Sequence, residues 1–447
     1  MAKRTISAWK AVNIQGLLKW GKKELTVTFN IACNWSGDLI FSFKKIRLTI
    51  ETSWLLKAYH TSGRYGEFLT LDGKDSSGRT FHTAYLSLIG VHHKMNKNTG
   101  YYLLLTGESK LLNVEESKDS CPNGLVNIRY HILGLRCFGV VTTASKFGEI
   151  HLRGQSTIQN YNEMTGSMVF ETRKNWSEIE QDLEKIDTKA DMILEALSIA
   201  QDRRLKWSIR EIFIGDKLSS IYFVGPHRGS SPHHPVFDYL NLRPALEMAV
   251  NSYANRLRDD LGMKFAIEYF MMRPYFLELR FLAAMTGLEH MLRCFSSMAS
   301  KGSIIKKSDF KRIVLPELLQ SLEKQLLVLD AEFEKSVEEK QNIKKLFSKR
   351  ICDINRADLR KTLFSFLEYH RVPLAGISNE EIAGIVSTRN ALAHGRAFDK
   401  PPSTEKLSDY LLILQELMKR IFLTLLGYRG KRNSFLNGEE YVDFPPS

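Results

Sequence analysis

The stretch ELTVTFNI, from Glu24 to Ile31, decides the fold of the first part of the chain. Apolar residues alternate strictly with polar ones here, so one face of an extended strand would carry Leu25, Val27, Phe29 and Ile31. A buried helix face would instead need apolar residues three and four positions apart. The alternation therefore predicts a β-strand with one buried face.

Further stretches of this kind follow, separated by turn residues. They are LIFSF (39–43), IRLTI (46–50), YYLLLTG (101–107), RCFGVV (136–141) and GSMVFETR (166–173). In GEFLTLDGKDSSGRTFHTAYLSL (66–88), a run of glycine, aspartate and serine between two apolar segments predicts a turn between two strands. Many short strands with turns between them predict a β-rich N-terminal domain over residues 1–174, either a β-sandwich or a partly open barrel.

The pattern changes near Asn175. Ser177 followed by Glu180 is a capping-box pattern, and it precedes an amphipathic stretch that runs to about residue 201. The next segment, KWSIREIFIGDKLSSIYFVG (206–225), predicts a β-hairpin that turns near Gly215 and Asp216. We therefore expect residues 175–240 to form a helix plus a hairpin, as a connector or a small domain of its own.

From about Asn241 the periodicity is helical to the end of the chain. Apolar positions recur at helical spacing in YFLELRFLAAMTGLEHMLRCF (275–295), LPELLQSLEKQLLVL (315–329), DLRKTLFSFLEYH (358–370) and KLSDYLLILQELMKRIFLTLLG (406–427). Ser378 and Glu381 form a second capping box, and the helix they begin is expected to end at Gly395. Residues 241–447 are thus predicted to form an all-α bundle, and the whole chain an α+β multidomain protein.

Length and charge limit the possible functions. The 447 residues are enough for two or three domains. Residues 1–174 hold 23 lysines and arginines against 13 acidic residues, a net charge of +10, whereas the remainder carries only +3. A basic surplus of this size favours a polyanionic partner, nucleic acid first, although it also serves simple solubility. The sequence predicts no signal peptide and no membrane span, and so a cytoplasmic protein.

Several classes of site are absent from the sequence. The five cysteines are widely spaced and contain no CxxC pair, which argues against a disulfide framework or a cysteine zinc site. The loop GPHRGSSPHHP (225–235) contains His227, His233 and His234, but adjacent histidines in a proline-rich loop seldom converge on a metal. The sequence also lacks Walker A, GxGxxG, HExxH and GxSxG motifs. We expect neither a cofactor nor a metal.

The stretch STRNALAHGR, from Ser387 to Arg396, carries the most specific chemistry. Asn390 and His394 are four residues apart and share a helix face, whereas Arg389 lies about 140° around the axis from His394. A histidine in the last turn of a helix has its charged form stabilised by the helix dipole. Histidine as acid or base beside a fixed arginine suits phosphodiester cleavage. An ordinary helix end with basic residues would give the same pattern.

The segment TRNALAHG (388–395) resembles the motif of the HEPN family, the higher eukaryotes and prokaryotes nucleotide-binding domain, and TGLEHMLRC (286–294) resembles that family's early helix. The match covers roughly the last two-fifths of the chain. The β-rich first part, the connector and the late bundle together look like the ApeA type of bacterial anti-phage HEPN proteins.

The resemblance implies a metal-independent endoribonuclease, in which the 2′-hydroxyl of the RNA attacks the adjacent phosphate. The products are a 2′,3′-cyclic phosphate and a 5′-hydroxyl. It assigns Arg389 to the phosphate, His394 to proton transfer and Asn390 to orientation, in a cleft that two protomers share. Glu289 on the facing helix could hold Arg389 in place, and Arg396 could add a phosphate contact. The resemblance further implies abortive infection as the role, tRNA as the suspected target, a phage-derived trigger, and a homodimer or larger even-numbered oligomer through the C-terminal domain.

Two alternatives stay open. The bundle could be a non-catalytic interaction module in an adaptor protein, or the chain could simply bind nucleic acid. The basic N-terminal part is rich in aromatic residues that could stack on bases, although most are expected in the core: Trp9, Trp20, Trp35, Trp54, Tyr101 and Tyr102. Apolar surfaces for pairing two protomers are expected on the helices around Phe276–Phe295 and Leu411–Leu426.

Overall fold

The computed structural model describes residues 9–34, 36–62, 67–96, 100–116, 124–224, 234–299, 307–321, 324, 358–394, 402–436 and 438–445. The chain forms two compact units, Met1–Tyr253 and Ala254–Ser447. This division differs from the predicted segments 1–174, 175–240 and 241–447. Strands from 175–240 belong to the same sheet as the strands before them, and the boundary lies after Tyr253.

Six antiparallel strands of the first unit close a barrel, so the partly open alternative and the sandwich do not describe this part. The ring runs β1–β2–β3–β7–β6–β5 and returns to β1. The strands are β1 (Lys10–Trp20), β2 (Lys23–Cys33), β3 (Leu39–Phe43), β5 (Leu69–Lys74), β6 (Thr80–Asn96) and β7 (Gly100–Ser109), with the short β4 (Ile46–Arg47) paired to β7.

The strand predicted at Glu24–Ile31 is confirmed as β2, and its alternation supplies the barrel core. Val27, Phe29 and Ile31 are buried, and Leu25 packs against the same core. The helix α1 (Trp54–Thr61) adds buried side chains to this core. Glycine is required at position 16, because a Cβ there would meet the Asp72 carbonyl oxygen at 2.2 Å and the Phe29 ring at 2.8 Å.

The remaining strands of this unit form an open antiparallel sheet in the order β8–β14–β13–β9–β12–β11–β10, joined to the barrel where β8 pairs with β6. Its strands are β8 (Leu111–Glu115), β9 (Val126–Leu133), β10 (Val140–Ser145), β11 (Gly148–Arg153), β12 (Met164–Glu171), β13 (Trp207–Ile214) and β14 (Lys217–Val224). The predicted hairpin is confirmed as β13 and β14, which turn at Gly215. It lies inside the sheet, between β9 and β8, and is not a connector.

A long helix, α2 (Trp176–Gln201), packs on one face of the open sheet. The capping box is real but lies two residues earlier than predicted: the Asn175 side chain accepts from Glu178 N, and the Glu178 carboxylate accepts from Asn175 N. Asn175 has extended backbone angles that suit a cap, whereas Ser177 is already inside the helix. A shorter helix, α3 (Arg243–Asn251), follows within the first unit.

The second unit is mainly helical. Its helices are α4 (Met263–Phe270), α5 (Leu277–Ala299), α6 (Lys307–Asp309, continuing into a π-turn at Phe310–Val314), α7 (Leu359–His370), α8 (Asn379–His394) and α9 (Thr404–Leu425). A further π-turn, Arg256–Asp260, precedes α4. The predicted capping box of α8 is confirmed, since Ser378 Oγ accepts from Glu381 N and the Glu381 carboxylate accepts from Ser378 N.

Two expectations for this unit were wrong. The chain is not helical to its end, because β15 (Gly430–Ser434) and β16 (Glu440–Phe444) pair as a hairpin after Gly427. The stretch Leu411–Leu426 is not an open apolar surface either, since α9 is buried almost all round. The hairpin helps to cover it: Arg432 of β15 and Arg420 both bind the buried Glu416 carboxylate.

Among the described residues, no helix has the length and apolar character needed to cross a membrane.

Candidate active site

The site is built where α5 and α8 pack against each other in the second unit. Helix α5 presents a buried face of Phe281, Leu288 and Phe295, which leaves Glu289 at its margin. Helix α8 buries Ile382 and Ile385. Because these two apolar faces are buried, Glu289 and Arg389 lie on sides of their helices that face each other, although 100 positions separate them in the sequence.

Arg389 is held by a two-point ion pair. Its Nε donates to Glu289 Oε1 at 2.5 Å, and its Nη2 donates to Glu289 Oε2 at 2.9 Å. Only 12% of the Glu289 side chain and 24% of the Arg389 side chain are exposed. Two parallel charge-assisted hydrogen bonds fix the plane of a guanidinium as well as its position. The pair therefore presents Arg389 in one orientation.

Asn390 extends this arrangement toward the end of α8. Its Oδ1 accepts a hydrogen bond of 3.1 Å from Arg389 Nη1, and the residue itself is exposed. With the oxygen occupied by Arg389, the amide N–H groups of Asn390 are the part that can meet a ligand. Asn390 and His394 lie on the same face of the helix, four residues apart.

His394 is the last residue of α8. The helix is continuous from Arg389 to this position, which puts the two Cα atoms about 7.5 Å apart along the axis and about 140° apart around it. The His394 side chain lies outside the description of the structure. Arg396 and the predicted C-terminal glycine, Gly395, also fall outside the described residues.

A second arginine near Glu289 was missed in the sequence. Arg293 is one helical turn further along α5, its Nη2 is 3.7 Å from Glu289 Oε2, and 79% of its side chain is exposed. Arg389 and Arg293 thus share one carboxylate, and the three side chains together carry a net positive charge. The spacing of Glu289 and Arg293 by four residues was a readable signal for this contact.

Arg293 also lines a cavity of about 450 Å³ beside α5, together with Asp260, His290, Cys294, Ser297 and Met298. His290 Nε2 and Cys294 Sγ are 3.7 Å apart in its wall. Burial, helped by the positive charge of Arg293, lowers the pKa of His290, and burial raises the pKa of the Cys294 thiol. Both groups are therefore neutral at pH 7, so this pair is not an activated thiolate.

The other features singled out in the sequence do not join this site. Trp9 packs on Phe223, Trp20 stacks on Trp54, and these rings belong to the barrel core as expected. Tyr101 is exposed, and Trp35 lies outside the described residues. His227 and His233 also lie outside the described residues.

An exposed apolar patch lies at the beginning of α5, close to the predicted pairing surface at Phe276–Phe295. It consists of Met272, Tyr275, Phe276 and Leu279, whose exposed fractions are 46, 95, 62 and 50%. An exposed apolar patch of this kind is a candidate interaction surface. The rest of the apolar face, including Phe281, Leu288 and Phe295, is buried in the unit itself.

Comparison with known protein families, with curated proteins and with solved structures finds no match to this chain.

Proposed function

We propose that this chain is a metal-independent endoribonuclease, with Arg389, Asn390 and His394 as its catalytic residues and Glu289 as the residue that positions Arg389. The observation that carries the proposal is the bidentate ion pair between Glu289 and Arg389 beside the helix end that bears His394. An arginine fixed in this way can hold a phosphate without losing further side-chain freedom when RNA binds.

Arg389 keeps donors for a phosphate while it is held. A guanidinium has five N–H groups. Within the described residues, three of them donate to Glu289 and Asn390. The other two, one on each Nη atom, can bind the non-bridging phosphate oxygens. Their charge would be most useful when the non-bridging oxygens of the attacked phosphate carry an extra negative charge, which is where preorganised donors contribute most to catalysis.

The proposed reaction is transfer of the phosphate within the RNA. The 2′-oxygen forms a bond to phosphorus, and the bond from phosphorus to the 5′-oxygen breaks. One His394 takes the proton of the 2′-hydroxyl, and His394 of a second copy gives a proton to the leaving 5′-oxygen. The products are a 2′,3′-cyclic phosphate and a 5′-hydroxyl. DNA lacks the 2′-hydroxyl and would not be cut.

The wider role rests on the resemblance to HEPN proteins of the ApeA type. In that role the chain acts in abortive infection, cuts tRNA after a phage-derived trigger, and works as a homodimer or a larger even-numbered assembly in the cytoplasm. The net charge of +10 on residues 1–174 supports RNA binding by this part of the chain. Arg396 remains a candidate phosphate contact.

The alternative is a non-catalytic adaptor or a nucleic-acid-binding module. In it, the pair of Glu289 and Arg389 would only hold α5 against α8. The two proposals differ in what Arg389→Lys does. Lysine keeps one charged contact to Glu289 but loses the planar two-point geometry, so it should preserve an adaptor and impair a nuclease.

The experiment is incubation of the full chain with total RNA in EDTA, followed by mapping of the cut sites and of the end groups. We expect cleavage with 2′,3′-cyclic phosphate ends, lost in Arg389→Ala and His394→Ala. His60→Ala is a matched control, because His60 is an exposed histidine in the last turn of α1. Dependence on magnesium, 5′-phosphate products, or full activity in folded His394→Ala would reject the proposal.

A further inference from the structure

Three potential metal ligands converge on the open sheet of the first unit. Glu149 and His151 are two residues apart on β11, so they lie on the same face of the sheet. Glu171 on β12 is the direct cross-strand neighbour of Glu149. These side chains lie on the face of the sheet opposite α2. Tyr130 points toward α2, because its hydroxyl donates to Asp187 of that helix, and its cross-strand neighbours Met168 and Leu152 lie on the same face. The three cluster residues occupy the alternate positions of their strands and therefore point the other way.

The distances within this cluster are those of a coordination sphere. His151 Nε2 lies 3.3 Å from Glu171 Oε2 and 3.7 Å from Glu149 Oε2, and all three ligand atoms are within 4.8 Å of one another. A zinc ion about 2.0–2.2 Å from each ligand in tetrahedral geometry separates the ligand atoms by about 3.3–3.6 Å. The side chains would need little movement to close around such an ion.

A threonine on the neighbouring strand orients the His151 imidazole. Thr142 on β10 faces His151 across the strand pair, and its Oγ1 is 3.0 Å from His151 Nδ1. A hydroxyl at this position fixes the ring and leaves Nε2 directed at the two carboxylates, which is the arrangement typical of metal-binding histidines. Nε2 is buried and makes no hydrogen bond within the described residues, although Glu171 Oε2 lies 3.3 Å away. The ring nitrogen that faces the two carboxylates is therefore available to bind an ion.

We propose that Glu149, His151 and Glu171 bind a divalent cation of the zinc class. One imidazole nitrogen and two carboxylate oxygens make a mixed donor set, which suits Zn²⁺ better than Mg²⁺ or Ca²⁺ with their preference for oxygen alone. Glu149 and Glu171 have 54 and 56% of their side chains exposed, so the ion is reached from solvent and water completes its coordination. The ion would link β11 to β12.

This site is independent of the proposed ribonuclease. It belongs to the first unit, whereas the cleavage chemistry belongs to residues of α5 and α8 and uses no metal. The sequence predicted no metal site, because Glu149 and His151 meet Glu171 only after the chain has turned from β11 into β12. Twenty-two positions separate Glu149 from Glu171, and no ligand-spacing motif covers that interval.

The test is calorimetric titration of the full chain with Zn²⁺ after dialysis against a chelator. We expect one site per chain that His151→Ala weakens at least ~100-fold, and that Thr142→Val weakens about 10–100-fold through loss of ring orientation. The matched control is His82→Ala. His82 also pairs with a carboxylate, Asp72, at 2.6 Å on an exposed strand surface, but the described residues supply no third ligand there.

Glu171→Gln is a second test in case the histidine variant misfolds. The Glu171 side chain is exposed, and an amide has nearly the same shape as a carboxylate, so this variant should fold normally. Each variant is checked by circular dichroism before titration. The proposal is overturned if the wild-type chain binds no Zn²⁺, if His151→Ala and Glu171→Gln bind as tightly as the wild type, or if His82→Ala removes the site. In the first case the cluster is only a close contact between an imidazole and two carboxylates.

Discussion

Glu289 and Arg389 are 100 positions apart in the sequence, yet two hydrogen bonds of 2.5 and 2.9 Å join their side chains. The contact does two things at once. It ties α5 to α8, and it fixes a guanidinium beside the helix end that carries His394. Substitutions at these positions can separate the structural effect from the catalytic one.

Exchange of the two charges tests this separation. Glu289→Arg alone and Arg389→Glu alone should each destabilise the second unit by about 1–3 kcal/mol, because a largely buried charge loses its partner. The double variant should recover much of that loss, since the ion pair is restored with its direction reversed. It should still fail to cut RNA, because the cationic group then comes from α5. Thermal melting and cleavage of total RNA measure the two effects. Recovery of cleavage in the double variant would show that the pair has only a structural role.

His394→Ala should reduce RNA cleavage at least ~100-fold, the effect expected when a proton-transfer group is removed. The melting temperature should change little, because the residue ends a helix. The comparison is with His60→Ala, a histidine at the exposed end of α1, which should leave cleavage unchanged. Equal rates for the two variants would remove His394 from the mechanism.

Mixing experiments test the shared cleft. If each cleft uses His394 from two copies, excess His394→Ala chain added to wild type should lower activity by more than dilution does, since most wild-type chains are then in clefts that contain only one histidine. The measurement is the cleavage rate at fixed wild-type concentration. A rate that is independent of the added variant would mean that one copy suffices.

The apolar patch at the start of α5 should carry the pairing of two copies. Phe276→Asp and Leu279→Asp place charges in it and should shift the chain to a monomer in sedimentation, with loss of cleavage. Tyr441→Asp is a suitable control, because Tyr441 is a similarly exposed apolar residue on the C-terminal hairpin. An unchanged assembly in both patch variants would place the interface elsewhere.

Glu416 should make the stability of the second unit dependent on pH. Burial raises the pKa of this carboxyl, but the hydrogen bonds and charges of Arg432 and Arg420 outweigh burial, so its pKa lies below the usual value. A group with a lowered folded-state pKa stabilises the fold above its unfolded-state pKa, about 4.3 for glutamate, and the stabilisation is lost as the pH falls through the folded value. Urea unfolding between pH 7 and pH 3 should show this loss.

Glu416→Ala should destabilise the unit at neutral pH by about 3–5 kcal/mol, because it leaves two buried arginines without their carboxylate. The pH dependence below about pH 4.3 should also become weaker than in the wild type. A variant with wild-type stability at pH 7 would mean that water satisfies Arg420 and Arg432.

Local patterns in the sequence were enough to find most elements. The alternation at Glu24–Ile31 identified β2, the Gly215 turn identified the β13–β14 hairpin, and Ser378 with Glu381 identified the start of α8. Each of these patterns depends on residues two to four positions apart, and residues at these spacings lie on one face of a strand or of a helix. The same short range explains why the chemistry of Arg389, Asn390 and His394 could be proposed from one helix.

The tertiary structure decided how distant segments combine. Closure of the barrel depends on β6 pairing with both β5 and β7, and the place of residues 207–224 in the sheet depends on pairing with β9 and β8. An apolar period shows that a face is buried but not what buries it. The sequence could therefore not show that α9 is buried almost all round, or that the C-terminal hairpin helps to cover it. The contacts of Arg389 with Glu289 and of His151 with Glu171 likewise arise only when separate elements pack, because each residue's partner is set by the register and rotation of another element.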